Sequence, residues 1–159
     1  MIIEAKEPGT GKTIQMECAA QDEHEIRDLL SFDLSEDALK KRLDALELSA
    51  DAKSVLFTIA KTTIRVGSLV VKVGRKVLDI ITKILAEFPM ASTGTIFGAI
   101  FGYLVSSVPI IGFVFGPFIG ALAIAFGFAV GAMQDIGNKA LERRIMSAVV
   151  SFDALKAKV

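Results

Sequence analysis

Catalysis needs nucleophiles, bases or metal ligands at matched positions, and few such groups are present. His24 is the single histidine and Cys18 the single cysteine. No histidine pair and no internal disulfide can be assembled from them, and no His/Cys/Asp/Glu spacing suits a metal. His24 falls among Asp22, Glu23 and Glu25, at what reads as an acidic helix start, and Cys18 has no histidine or asparagine nearby. The carboxylates from Asp22 to Asp37 read as a solvated face. No catalytic residue, cofactor or metal is assigned, and an enzyme is not expected.

Glu7-Pro8-Gly9-Thr10-Gly11-Lys12-Thr13 resembles the end of the phosphate-binding loop of ATPases. The full loop has a further glycine where this chain has Lys6. It also needs a helix after Lys12 to aim N–H groups at phosphate. Thr13-Ile14-Gln15-Met16-Glu17 instead alternates like a strand, so a hairpin turn is expected.

Two further groups of residues define candidate contacts. Lys61, Arg65, Lys72, Arg75, Lys76 and Lys83 suit anionic lipid headgroups or contacts between copies of the chain. No aromatic stacking platform accompanies them, so nucleic acid is not an expected partner. Gly94, Gly98, Gly102 and Ser106 recur every fourth residue, as do Gly112, Gly116 and Gly120, and again Ala123, Gly127 and Gly131. Such small-residue stripes let helix backbones approach closely, and packing within a hairpin and between subunits is expected. Thr95, Ser106, Ser107 and Gln134 are the few polar groups available to line a pore.

The elements that must hold these residues follow from strongly zoned charge. Net charge is −7 over residues 1–51, +5 over 52–90 and +2 over 135–159, while Ala91 to Gln134 has no charged residue. Residues 1–48 read as an acidic cytoplasmic region. Its β-hairpin pairs Ile2–Lys6 with Lys12–Cys18, and polar helices follow, one capped by Ser35 with Leu39, Leu43 and Leu46 inward. Residues 49–89 read as one long basic amphipathic helix, capped by Ser49 and ended by Pro89. Leu56, Ile59, Thr63, Val66, Val70, Val73, Val77, Ile80 and Ile84 form its 3–4 spaced seam. Residues 90–134 read as a transmembrane helical hairpin: one helix to Val108, a turn over Pro109–Pro117, and a second helix from Pro117 to Met133. Eight of the 11 phenylalanines lie between Phe88 and Phe128, which suits lipid contact or packing against glycine. Residues 135–159 read as a C-terminal amphipathic helix continuing the second span. The fold class is therefore mainly α, an integral membrane hairpin with a long amphipathic helix and a short N-terminal β-hairpin. The start of the chain lacks a basic and apolar leader, and positive charge flanks the uncharged run. Both termini are thus expected in the cytoplasm, with the protein in the inner membrane.

The uncharged glycine-rich segment Ala91–Met133, preceded by amphipathic helices, resembles the hydrophobic hairpin of pore-forming colicins and other glycine-zipper membrane proteins. Its mid-hairpin proline is similar to that of oleosin-like surface-coating proteins. In colicins the hairpin sits within a larger helical soluble domain, and this chain is shorter. The resemblance implies a homo-oligomer that opens a pore or perturbs the bilayer, without assigning a role to any residue. A self-assembling membrane scaffold remains the alternative, as does an anchor or adaptor whose acidic residues 1–51 recruit a cytoplasmic protein.

Overall fold

A computed structural model describes residues 1–30, 34–127 and 138–158. Strand β1 (Ile2–Lys6) pairs antiparallel with β2 (Thr13–Glu17), as the alternation of Ile14 and Met16 with polar neighbours requires. The connecting turn closes through Glu7 N–H to Lys12 O at 2.7 Å, with Gly9 and Gly11 at positive φ. No helix follows Lys12, and the phosphate-loop resemblance ends there. A 3-10 turn, Glu23–Ile26, leads into a single helical turn, α1 (Arg27–Leu30). Helices α2 (Glu36–Asp44) and α3 (Ala50–Ala60) begin at the expected caps. Ser35 Oγ accepts from Ala38 N–H and Ser49 Oγ from Ala52 N–H, each at 3.1 Å.

The expected continuous helix over 49–89 is not formed. Between α3 and α4 (Val73–Glu87) the chain makes a second hairpin, β3 (Ile64–Val66) and β4 (Leu69–Val71). Gly67, at φ +61°, takes the first place of its two-residue turn. The 3–4 spacing was shared by four different elements. Leu56 and Ile59 face the core from α3, Val66 from β3, and Val73, Val77, Ile80 and Ile84 from α4, while Thr63 and Val70 are exposed. β-Branched residues in a period of two, closed by Gly-Ser, favour strands here over helix. The resulting sheet has the order β2-β1-β3-β4.

Helix α5 (Thr93–Ser107) is capped by Ser92, whose Oγ accepts from Thr95 N–H at 3.0 Å. Helix α6 (Pro109–Phe126) begins immediately after it. The hairpin therefore turns at Val108, and Pro109 is the first-turn proline in place of Pro117, which lies exposed inside α6. Gly127, at φ +71°, ends α6, and Asn138 caps a separate helix α7 (Lys139–Val149), followed by a 3-10 stretch, Val150–Leu155. The C-terminal helix thus does not continue α6. The expected span to Met133 lies partly outside the described residues.

Described residues from all four sequence zones contribute to one hydrophobic core. Helix α6 packs on α3 and on β1, through the sheet face that carries Ile3 and Ala5, while α5 packs on α4 and α7. Two features hold α4 in place. A Cβ at Gly74 would collide with the Ile59 carbonyl oxygen, so α4 starts directly against the end of α3. Asp79, 1% exposed, accepts from Arg42 Nη1 of α2 at 2.9 Å and from Lys83 Nζ at 3.0 Å. Asp79→Ala leaves both cations partly open to water, so it is expected to cost about 1–3 kcal/mol in urea unfolding. An unchanged midpoint would show the tie to be idle.

Candidate functional site: the apolar hairpin

Helices α5 and α6 together carry no charged residue. They run antiparallel and are joined by rings: Phe97 stacks on Phe126 at 4.2 Å between centroids, and Phe101 meets Phe115 edge-on at 5.8 Å. Among the described residues, α6 is the one helix long and apolar enough to cross a membrane. Helix α5 has 15 residues, and about 22 Å of rise is short of a ~30 Å hydrocarbon layer.

The two helices differ in cover. In α5 the larger side chains Ile96, Phe97, Ile100, Phe101 and Leu104 are buried, and only Ser106 is fully exposed. In α6, Ile110, Ile111, Val114, Phe115 and Leu122 are buried, but the opposite side presents Pro109, Gly116, Pro117, Gly120, Ala121, Ile124 and Ala125. Ile124 is 87% exposed, and the exposed side of α6 carries no polar side chain. The shell of amphipathic elements therefore covers α5 and one side of α6.

The expected small-residue packing is split. Gly94 lies against the Phe126 carbonyl oxygen, where any Cβ would collide, and Gly112 would bring a Cβ to 2.9 Å from the Val105 carbonyl oxygen. These two close the hairpin at its ends, and Gly98 is buried within it. Gly102, Gly116 and Gly120 have no atom within 4 Å of a would-be Cβ, so nothing among the described residues uses them for close packing. Gly127 serves as the helix stop, and Gly131 lies outside the described residues.

The polar candidates are largely satisfied. Thr95 Oγ1 is 2.7 Å from Ser92 Oγ, and Ser106 Oγ donates to the Gly102 carbonyl at 2.7 Å. Ser107 is half-buried, and Gln134 lies outside the described residues. Thr95, Ala99, Gly102 and Ser106 do share one partly open face of α5.

The basic residues do not form a stripe, because the helix expected to carry them is broken. Lys61 caps α3, Arg65 projects from β3, and Lys72 precedes α4. Arg75 is mostly buried, 3.7 Å from Glu36, and burial pushes the Lys76 ammonium pKa down. Lys83 is engaged by Asp79. Only Lys61, Arg65 and Lys72 remain fully exposed without a described ion pair.

The ion pairs that matter were not singled out from sequence. Asp79 and Glu87 are the only acidic residues between Ala52 and Met90, in a strongly basic stretch, and that isolation was the available signal. At the foot of the hairpin Glu87 accepts from Arg144 Nε at 2.7 Å and from its Nη2 at 3.2 Å. This bond holds the Glu87 carboxyl below its usual range. Compared with known proteins, the chain matches no protein-family model, no curated protein and no solved structure.

Two outcomes follow for the folded protein. Gly94→Ala is expected to lose about 1–3 kcal/mol. Gly120→Ala, with open space, is expected to gain up to about 1 kcal/mol from helix propensity. Equal effects in urea unfolding would contradict the split. Arg144→Gln is expected to raise the Glu87 carboxyl pKa toward its ordinary value, read by NMR titration. The stability that the pair adds is present above the ordinary carboxylate range and is lost as pH falls through the lowered value. A Glu87 titration identical in both proteins would remove the pair from the account.

Proposed function

We propose that this protein acts on lipid bilayers as a homo-oligomer, entering them with the α5–α6 hairpin and opening a pore or otherwise perturbing the membrane. The observation that carries this is the exposed side of α6: an uncharged helix of membrane-spanning length whose outer side, from Pro109 to Ala125, is wholly apolar. In water that surface is costly. In a bilayer it needs no further partner. The unfilled small positions Gly116 and Gly120, and the Thr95–Ala99–Gly102–Ser106 face, leave room for close approach of a second copy. The reading places both termini on the cytoplasmic side of the inner membrane, because the exposed charges of the shell belong in water.

One observation favours the quieter alternative, a self-assembling scaffold or anchor without transport. Ser106 spends its hydroxyl proton on its own helix, and Thr95 is bonded to Ser92, so few polar groups are free to line water. The acidic residues 1–51 would then serve a cytoplasmic partner.

Dye release and flotation with vesicles of phosphatidylcholine and phosphatidylglycerol separate these readings. The wild type is expected to float with the vesicles and release dye. Gly120→Lys fills open space near the middle of α6, so the fold should persist. A lysine at that depth costs about 2.5–3.5 kcal/mol on insertion, which corresponds to roughly a hundredfold loss of release. Flotation without release moves the function to a scaffold. Wild-type behaviour of the lysine variant would overturn entry by α6.

A further inference from the structure

The C-terminal segment covers α5 from outside and is fastened along its length. Helix α7 buries Leu141, Ile145 and Val149, packing on α5 and α4. The following 3-10 stretch buries Phe152 and Leu155 and packs on α1 and the 3-10 turn before it. The outward residues are mixed, Glu142, Arg143 and Ser147 with Met146 and Val150. Lys156 Nζ lies 5.8 Å above the Tyr103 ring of α5.

Beyond Leu155 the chain runs alongside residues 17–20. Ala19 N–H donates to Lys156 O at 2.7 Å, Ala20 N–H to Ala154 O at 3.0 Å, and Lys158 N–H to Glu17 O at 3.1 Å. Lys158 Nζ is 2.9 Å from a Glu17 carboxylate oxygen. At the other end Arg144 holds Glu87. Two of these fastenings are surface ion pairs, which hold weakly; the others are three backbone hydrogen bonds, one of them to Glu17 at the end of β2, and the buried side chains of α7 and the 3-10 stretch.

We infer that residues 139–158 are a latch that keeps α5 covered, and that their release is the step that frees the hairpin for the bilayer. This rests on the membrane reading above. Helix α5 has its large side chains under the shell and is open only in part, along Thr95, Ala99, Gly102 and Ser106, while α6 already presents an apolar side. A hairpin enters lipid as a pair, so the covered half sets when entry occurs. Releasing the latch uncovers the α7 side of α5 and leaves α2, α3 and α4 packed on one another and the sheet packed on α6.

The chain supplies half of a lock for testing this. Cys18 is buried and stands directly opposite Ala157 in an antiparallel bridge. The hydrogen bonds flank the pair rather than join it, the arrangement in which Cα atoms approach to about 4.5 Å. That separation admits a disulfide. Full-length Ala157→Cys, reduced, is expected to release vesicle dye as the wild type does. Oxidised with diamide, it should release dye more than about tenfold more slowly and recover on adding dithiothreitol. Phe152→Ala, which empties a buried place under the latch, should speed release. Equal release by the oxidised and reduced forms, or unchanged release by Phe152→Ala, would overturn the latch and leave hairpin entry standing. If no sample releases dye, the pore reading fails and hydrogen exchange at Ile96–Leu104 decides the latch. Slower exchange in the oxidised form supports it, and equal exchange overturns it.

Discussion

An uncharged helix of 18 residues has to be covered, and the covering of α6 organises everything around it. Burial of apolar area is worth roughly 25 cal/mol per Å², so each element that reaches the hairpin contributes by what it hides. The sheet offers Ile3 and Ala5 of β1, α3 offers its inner face, and α5 pairs along α6 through stacked and edge-on phenylalanines. The remaining elements cover α5 in turn. The polar surface of the protein is built from the outward faces of those covering elements, and it stops short of the outer side of α6.

Electrostatics follow from the same arrangement. The described charged residues are confined to the shell, and several of their pairs tie shell elements to one another: Arg42 to Asp79, Arg144 to Glu87, Lys158 to Glu17. Asp79 is the deepest of these carboxylates, and both of its partners reach it from the rim. Among the described residues, α5 and α6 meet through close backbone approach and ring contacts, which do not depend on water.

Local signals were readable in the residues. Ser35 and Ser49 start helices where their position announced them, though the one after Ser49 is short, and the Pro-Gly-Thr-Gly turn joins the two strands that alternation marked. The uncharged stretch did become a helical pair. What failed was local ambiguity and long-range packing. Valines three and four apart fit a helix seam equally well when they belong to a helix, a turn of strand and another helix, and Gly67-Ser68 was the only mark of the break. Pro117 was read as a helix start because first-turn proline is common, yet Pro109 had the same credentials and took the role. The partial cover of α5 depends on its packing against α4 and α7, which are far apart in the chain, and no periodicity encodes it. For the glycines, spacing marked positions without saying which ones have a neighbour: Gly94 does, and Gly120 does not.

The chain has no tryptophan, so one placed on the outer side of α6 reports on that helix alone. Ala121→Trp, followed by fluorescence as vesicles with bromine-labelled acyl chains are added, tests entry of the hairpin most directly. The expected result is a shift of emission to shorter wavelength with quenching by the bromine-labelled chains. Emission that stays at its value in water and is not quenched, from protein shown to be on the vesicles, would contradict the account.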